Sequence, residues 1–443
     1  ALTFLPGVGF LLYLFIGQDM SKKKMFKLKE EEDNKFRDKV LEQGQRIREE
    51  VYHYSNPKFL EYEDIIKMHI QTSEAYFSQD NEVELYFSGK DKFKALLESI
   101  SNAKRYIYLE YYIMKDDNIG MKIIDKLTEK VKEGVEVKVL YDGMGSRRLK
   151  KHSFDELKKA GGEVAAFFPP FVPFFTLRIN YRNHRKIAII DGEEAFVGGF
   201  NIGDEYLGLS KNFGHWRDTH MKIRGTAIGG FQWRFFKDWR FATNKDNVCC
   251  KIAFPRERVK GRTGIQIVSS GPDSKWPSIK DGYLKMICNA RNRLYIQTPY
   301  FIPDDSIFEA IRLAGLSGVD VKIMIPCKPD HIFVYWAGLS YIGELLEAGV
   351  KFYTYEKGFL HSKTFVVDNL ITSIGSANLD IRSFKLNFEI NGFIYDEHIN
   401  KKMVEQFNMD LKHCNEITME EYKKRSNMVK FKESVSRLLS PIL

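Results

Sequence analysis

The chain has 443 residues, 44% of them hydrophobic, which is long enough for two domains with full cores, and no low-complexity tract interrupts it. Its formal charge of +9, from 68 basic against 59 acidic residues, suits nucleic acid or an anionic membrane equally. Cys249, Cys250, Cys288, Cys327 and Cys414 are odd in number and lack C-x-x-C spacing. This argues against a disulfide framework and a zinc site and predicts reduced thiols.

In chain order, residues 1–16 are apolar or small, and Lys22, Lys23, Lys24, Lys27 and Lys29 follow at once. Sixteen residues fall short of the roughly 20 that span a bilayer. Because the sequence opens on Ala1, residues 1–17 are expected to be the remainder of a transmembrane helix, with the lysines on its cytoplasmic side. Residues 18–75 are charged and predict a linker with a helical arm over about 35–51.

Two similar series of elements follow. Asn102-Ala103-Lys104-Arg105 before an apolar strand resembles Asn289-Ala290-Arg291-Asn292 before another, and residues 134–140 (GVEVKVL) parallel residues 318–324 (GVDVKIM). Each series reads as strand, helix, strand, helix and then a hairpin, which predicts layered α/β domains with helices over a mostly parallel sheet. The domains are expected at 76–255 and 256–443, with the basic Pro/Gly-containing stretch 251–262 between them.

Each hairpin carries the same phrase. His184, Lys186 and Asp191 occur in HRKIAIID, and His361, Lys363 and Asp368 in HSKTFVVD. Gly198, Gly199 and Asn201 follow the first, and Gly375, Ser376 and Asn378 the second, at matching distances. On a strand, alternate side chains share a face, so each His–Lys pair can serve one ligand. The tight Asp-led turns are expected to return Asn201 beside His184 and Asn378 beside His361. The small residues are expected to leave room for a ligand against the backbone.

Two imidazoles, two ammonium groups (Lys186, Lys363) and two amides (Asn201, Asn378) make a cage for a tetrahedral oxyanion such as a phosphodiester. One histidine can attack phosphorus while the other protonates the departing alcohol, with no metal and no cofactor required.

Phe167 to Phe175 (FFPPFVPFF) holds three prolines that forbid a regular element. Phe171, Phe174 and Phe175 there are candidates for a lip dipping into lipid or holding acyl chains, with a buried loop as the alternative. Phe333 to Trp336 is a candidate matching lip or core segment.

These motifs, with the phrases WRDTH, YIQTPYFIPDD and SANLDIRSFKLNFE, resemble the phospholipase D superfamily and within it the bacterial cardiolipin synthases, over nearly the whole chain. The resemblance implies two tandem duplicated phospholipase D-like α/β/α sandwich domains related by a pseudo-twofold, with the site between them. It implies that His184 forms a phosphohistidine and His361 acts as acid and then base. It also implies a carboxylate behind each histidine, at positions matching Asp218 and Glu389, so the expected catalytic set is His184, Lys186, Asp191, His361, Lys363, Asp368, Asp218 and Glu389.

The expected reaction transfers a phosphatidyl group from one phosphatidylglycerol to another and releases glycerol. It would take place on the cytoplasmic side of a bacterial cell membrane rich in anionic lipid. Hydrolysis by water or transfer to serine are alternatives of the same chemistry. A nuclease would instead call for a basic groove interleaved with stacking aromatics, so nucleic acid is not an expected partner.

Overall fold

The computed structural model describes residues 34–168, 180–244 and 259–440. Residues 1–17, the lysines at 22–29, Phe171, Phe174, Phe175, Cys249, Cys250 and most of the 251–262 stretch lie outside the described residues.

The first series of strands is β1 (Phe77–Tyr86), β2 (Tyr106–Tyr111), β3 (Glu136–Asp142), β4 (Glu163–Phe167), β5 (Arg182–Asn183), β6 (Lys186–Ile190), β7 (Glu194–Gly198), β8 (His215–Arg217) and β9 (His220–Arg224). The second begins with β10 (Thr263–Ser270), β11 (Arg293–Gln297), β12 (Phe301–Ile302), β13 (Asp320–Pro326), β14 (Lys351–Tyr355) and β15 (Gly358–Leu360). It continues with β16 (Thr364–Val367), β17 (Ile371–Gly375), β18 (Leu379–Asp380), β19 (Asn387–Tyr395) and β20 (Cys414–Ile417).

Most of these form one 16-stranded sheet, in the order β20-β14-β13-β11-β16-β17-β19-β10-β1-β9-β7-β6-β2-β3-β4, with β5 alongside β19. The centre is the antiparallel seam of β1 with β10, where Phe77 lies opposite Gln266.

The expected mostly parallel sheet is corrected to a mixed one. Within each half the parallel run is β2-β3-β4 in one and β11-β13-β14 in the other, where β20 closes the edge antiparallel to β14. Each motif hairpin and its return strand then add antiparallel neighbours toward the seam. A hairpin reverses the chain locally, so it cannot extend a parallel ladder.

The longer helices are α1 (Asn34–Arg48), α2 (Glu63–Ser73), α3 (Gly89–Asn102), α4 (Asn118–Lys132), α5 (Ile228–Thr243), α6 (Ser278–Asn289), α7 (Asp305–Leu316), α8 (Ile332–Leu339), α9 (Glu397–Leu411) and α10 (Asn427–Arg437). Side-chain caps start several: Asp117 accepts from the Gly120 amide at α4 and Asp304 from the Ile307 amide at α7. α4 buries Ile119, Ile123, Ile124 and Leu127, the helical stripe that fixes its inner face.

The core lies in three clusters. One packs α3 and α4 on the first half, and one packs α6 and α7 on the second. Between them, Phe231, Phe235 and Trp239 of α5 and Ile399, Met403 and Phe407 of α9 cover residues of both halves. Each such side chain contributes about 1.5–3 kcal/mol when fully buried.

The arm expected over 35–51 is helical, but it does not stand clear of the body. Phe36, Val40 and Ile47 of α1 join Phe59, Ile65 and Ile66 in the second half's core, and Phe59 and Phe77 pack edge-on against Tyr395. Among the described residues no helix is long and apolar enough to cross a membrane. Cys288, Cys327 and Cys414 are free thiols.

Candidate active site

Two short strands exchanged between the halves build the site. β5, just before the first motif histidine, pairs in parallel with Asn387 and Phe388. β15, just before the second, pairs in parallel with β8, Leu360 opposite Arg217. The His184 amide donates to the Phe388 carbonyl at 2.9 Å, and the His361 amide to the Arg217 carbonyl at 2.7 Å.

The next residue on each partner strand is a carboxylate. His184 Nδ1 lies 3.0 Å from both Glu389 oxygens, and His361 Nδ1 lies 2.6 Å from Asp218 Oδ2. Each histidine is therefore held, at backbone and ring, by the opposite half. A carboxylate at Nδ1 selects the tautomer protonated there and leaves the Nε2 lone pair free.

Burial sets the charges. It holds the His184 imidazole down at about 4 and the His361 imidazole at about 3, with the nearby lysines opposing protonation of both. It lowers Lys186 from 10.5 to about 7 and Lys363 to about 8. Each lysine donates to the carbonyl of its own motif histidine, Lys186 at 2.5 Å. An anion entering this site would reverse the trend, since negative charge favours the protonated form of every group that faces it.

The two carboxylates are supported differently. Glu389 receives Ser376 Oγ and, at 3.1 Å, Asn387 Nδ2. Burial pushes its carboxyl up, but His184, Lys186 and Ser376 outweigh this and keep it ionised. Asp218 Oδ1 instead accepts the Thr219 amide at 2.7 Å.

The small residues do something other than make room for a ligand, as the motif led us to expect. A Cβ at Gly199 would lie 2.0 Å from Asp218 Oδ1, and one at Gly375 would lie 2.2 Å from Asn391 Oδ1. The space they leave is taken by the protein's own polar groups.

Asp191 and Asp368, expected among the catalytic groups, sit at the far ends of their hairpin strands from the lysines. Asp191 accepts the amides of Lys104, Arg105 and Tyr106 at 2.7–2.9 Å. Asp368 accepts those of Arg291, Asn292 and Arg293 at 2.8–3.0 Å. With φ of 55° and 44°, each turns its hairpin and ties it to the start of β2 or β11. They position the lysines through the fold.

Asn201 and Asn378 are both buried. Asn201 Oδ1 accepts the Ile113 amide at 3.1 Å and its Nδ2 donates to Tyr206 at 3.3 Å. Asn378 Oδ1 has no hydrogen-bond partner among the described residues.

The motif pattern left unread the charge pairs behind the histidines. Arg185, the variable residue of the first motif, donates to Asp238 of α5 at 2.7 Å. In the second motif that residue is Ser362, and Arg217 serves Asp410 of α9 instead, at 2.8 and 3.0 Å.

Behind each pair lies one more polar group, in matching register next to the motif: Glu110 opposite Ile187 and Gln297 opposite Thr364. Gln297 Nε2 donates to Asp410 at 2.8 Å. Glu110 accepts from Asn183 at 2.6 Å, and burial with the charge of Asp238 pushes its carboxyl well above the usual range, which favours its protonated form. The interruption of the apolar β2 and β11 runs by Glu110 and Gln297 was the available signal.

A family model described as "Cardiolipin synthase, PLD-like domain" matches residues 96–216 and again residues 283–411. Over all 443 residues the chain is 51% identical to the major cardiolipin synthase ClsA of Bacillus subtilis (strain 168), covering 92% of that protein. It is 49% identical over the same span to a cardiolipin synthase of Listeria monocytogenes serotype 4a (strain HCC23), again covering 92%.

Among solved structures, a phosphatidylserine synthase of Haemophilus influenzae Rd KW20 shares the fold, with TM-score 0.65 and 15% identity, covering 86% of this chain and all of that one. A polyphosphate kinase of Porphyromonas gingivalis aligns with TM-score 0.52 and 12% identity, over 81% of this chain and 53% of that one. The chain belongs to the PLD-like cardiolipin synthase family.

Proposed function

We propose that this chain is a phosphatidyltransferase that makes cardiolipin from two molecules of phosphatidylglycerol. The observation that carries the reading is the exchanged pair of carboxylates. Two histidines, each pinned at Nδ1 by the opposite half, face a site with two buried lysines, as a two-step displacement at phosphorus requires.

His184 Nε2 attacks phosphorus, the P–N bond forms and the P–O bond to glycerol breaks. Proton uptake on binding the anionic phosphodiester charges His361, whose Nε2–H then protonates the leaving oxygen. His361 next takes the proton from a hydroxyl of the second phosphatidylglycerol, that oxygen attacks phosphorus, and the P–N bond breaks. Lys186 and Lys363 neutralise the equatorial oxygens, and the amides of Asn201 and Asn378 contribute donors once the ligand is bound.

The outward strand order from the β1–β10 seam is alike on both sides, which supports two tandem domains, 76–255 and 256–443, related by a pseudo-twofold. The apolar residues 1–17 and the basic cluster after them support attachment to a cell membrane with the catalytic body on its cytoplasmic side.

The test is mass spectrometry of the lipids formed from phosphatidylglycerol alone. Cardiolipin with equimolar glycerol is the expected result. Phosphatidic acid as sole product would assign hydrolysis instead.

A further inference from the structure

The last helix, α10, is built inside out. A helix on a protein surface normally turns its apolar stripe to the core and its polar residues to water. On α10 the residues against the body are Glu433 and Ser436, 4% and 2% exposed, and Glu433 holds Arg425 through two contacts of 2.8 Å. Facing away are Met428, Phe431, Val435 and, just past its end, Leu438, which are 63, 65, 40 and 80% exposed. Their spacing places them on one continuous stripe along the helix.

A second exposed apolar pair lies on the neighbouring helix α8. α10 and the segment before it are fixed against that helix: Lys432 Nζ stands 5.3 Å from the Trp336 ring, and Tyr422 donates to the Leu339 carbonyl at 3.0 Å. The first two residues of α8, Ile332 and Phe333, are 64% and 56% exposed. Two residues before Ile332, Asp330 accepts from Tyr300, and its charge reaches Lys363. The apolar patch thus adjoins the Lys363 side of the site.

Its surroundings are basic. Residues 419–443 carry six Lys and Arg against three Glu, and Lys430, Lys432 and Arg437 flank the stripe, all exposed. A lone apolar stripe rimmed by cations matches the interfacial layer of an anionic bilayer, where the side chains enter the acyl boundary and the cations meet headgroups.

We infer that α10, with Ile332 and Phe333, seats the second half of the molecule in the surface of an anionic membrane and brings the Lys363 side of the site to the headgroups. For its occupant the inference rests on the phospholipid reading above. Its geometry does not.

The test uses the full chain on phosphatidylglycerol-containing vesicles with a photoreactive residue at the stripe, Phe431→p-benzoylphenylalanine or Leu438→p-benzoylphenylalanine. The same substitution at exposed Lys401 on α9 is the control. Irradiation followed by mass spectrometry should yield phospholipid adducts at 431 and 438 in excess of those at 401, and fewer at high salt. A covalent dimer would show that a second copy covers the stripe, and an intrachain adduct to residues 1–33 would show that the chain covers itself. Either result, or no lipid adduct above the control, overturns the inference. If cardiolipin still forms in those cases, the proposed function stands without it. A second measurement is Phe431→Ser with Leu438→Ser, which should lower turnover on bilayers several-fold while leaving short-chain micellar substrate and melting temperature unchanged. Equal loss on both substrates would also overturn it.

Discussion

Replacing each pinning carboxylate by its amide should give two very different enzymes. In Asp218→Asn the amide has no freedom. Oδ1 accepts the Thr219 amide at 2.7 Å, and a backbone N–H can only donate, so the new carbonyl oxygen must stay there. Rotation offers no relief, because Gly199 packs directly on the carboxylate. The NH2 therefore faces His361 Nδ1, which must now accept, and the imidazolium that protonates the leaving glycerol loses its partner. A forced wrong tautomer of this kind costs about 10⁴-fold in kcat.

In Glu389→Gln the amide can adapt. Its NH2 can take the Oε2 position and donate to Ser376 Oγ, a hydroxyl that can turn its own proton to the Ile390 carbonyl 3.3 Å away. Oε1 still accepts from His184 and Asn387. Only the charge is lost, and the step from a charge-assisted to a neutral hydrogen bond costs about 1–2 kcal/mol, or roughly 5- to 30-fold.

The assay is cardiolipin formation from phosphatidylglycerol, with melting temperatures measured alongside. A phosphatidyl ester of p-nitrophenol adds a second arm, since its leaving group needs no proton and the Asp218→Asn burst should survive with it. Equal losses in the two variants, or a larger loss in Glu389→Gln, would refute the reasoning.

Lys186→Met or Lys363→Met should each lower turnover by about 10²- to 10³-fold, the usual cost of removing one preorganised charge, with the fold retained; near-normal turnover in either would dismantle the cage. With the lysines held at about 7 and 8, binding of orthovanadate at pH 8 should take up protons, read by calorimetry in buffers of different ionisation enthalpy, and proton release would contradict the electrostatics. Between those values and 10.5 the folded chain binds fewer protons than the unfolded one, so the lysine contribution to stability should improve as pH rises. Glu110 has the opposite sign. Its raised carboxyl means that the folded state binds the extra proton, so wild-type stability is lost as pH climbs above the usual carboxylate range. Glu110→Gln, which copies Gln297, should match wild type near pH 5 and melt increasingly above it toward pH 9. A variant less stable at every pH would show that Glu110 is ionised.

The repeated phrase made both hairpins and the histidine–lysine pairs legible, because a strand's two-residue period puts such residues on one face whatever surrounds them. Register along one strand says nothing about which strand lies beside it. The pairing of His184 with Glu389 and of His361 with Asp218 depends on the exchange of β5 and β15 between halves, which is long-range packing. The motif aspartates, placed in the catalytic set by the resemblance, accept backbone amides at the hairpin turns. A conspicuous carboxylate in a catalytic phrase reads as chemistry, but its distance along the strand from the lysine already places it at the turn. The helical arm was legible but its packing was not, because Phe36, Val40 and Ile47 are spread thinly among charged residues and only their shared face on α1 shows that they belong to a core.

The two copies of the motif are alike in their histidine–lysine pairs and unlike behind them. Arg185 and Asp238 stand behind the first histidine, while Ser362 stands in the second motif and Arg217 comes across from the other half to Asp410. Ser376 gives Glu389 an adaptable donor, while Gly199 leaves Asp218 wedged against a fixed amide. A ring that must attack phosphorus and a ring that must carry a proton have different needs. The first has to present a lone pair, which a buried but ionised carboxylate with several donors around it secures. The second has to become an imidazolium and lose its proton again in each cycle, which favours one short, rigid contact such as the 2.6 Å from His361 to Asp218. On the proposed mechanism the division of labour between His184 and His361 rests on the supports that differ between the halves, and exchanging those supports should matter more than exchanging the motifs themselves.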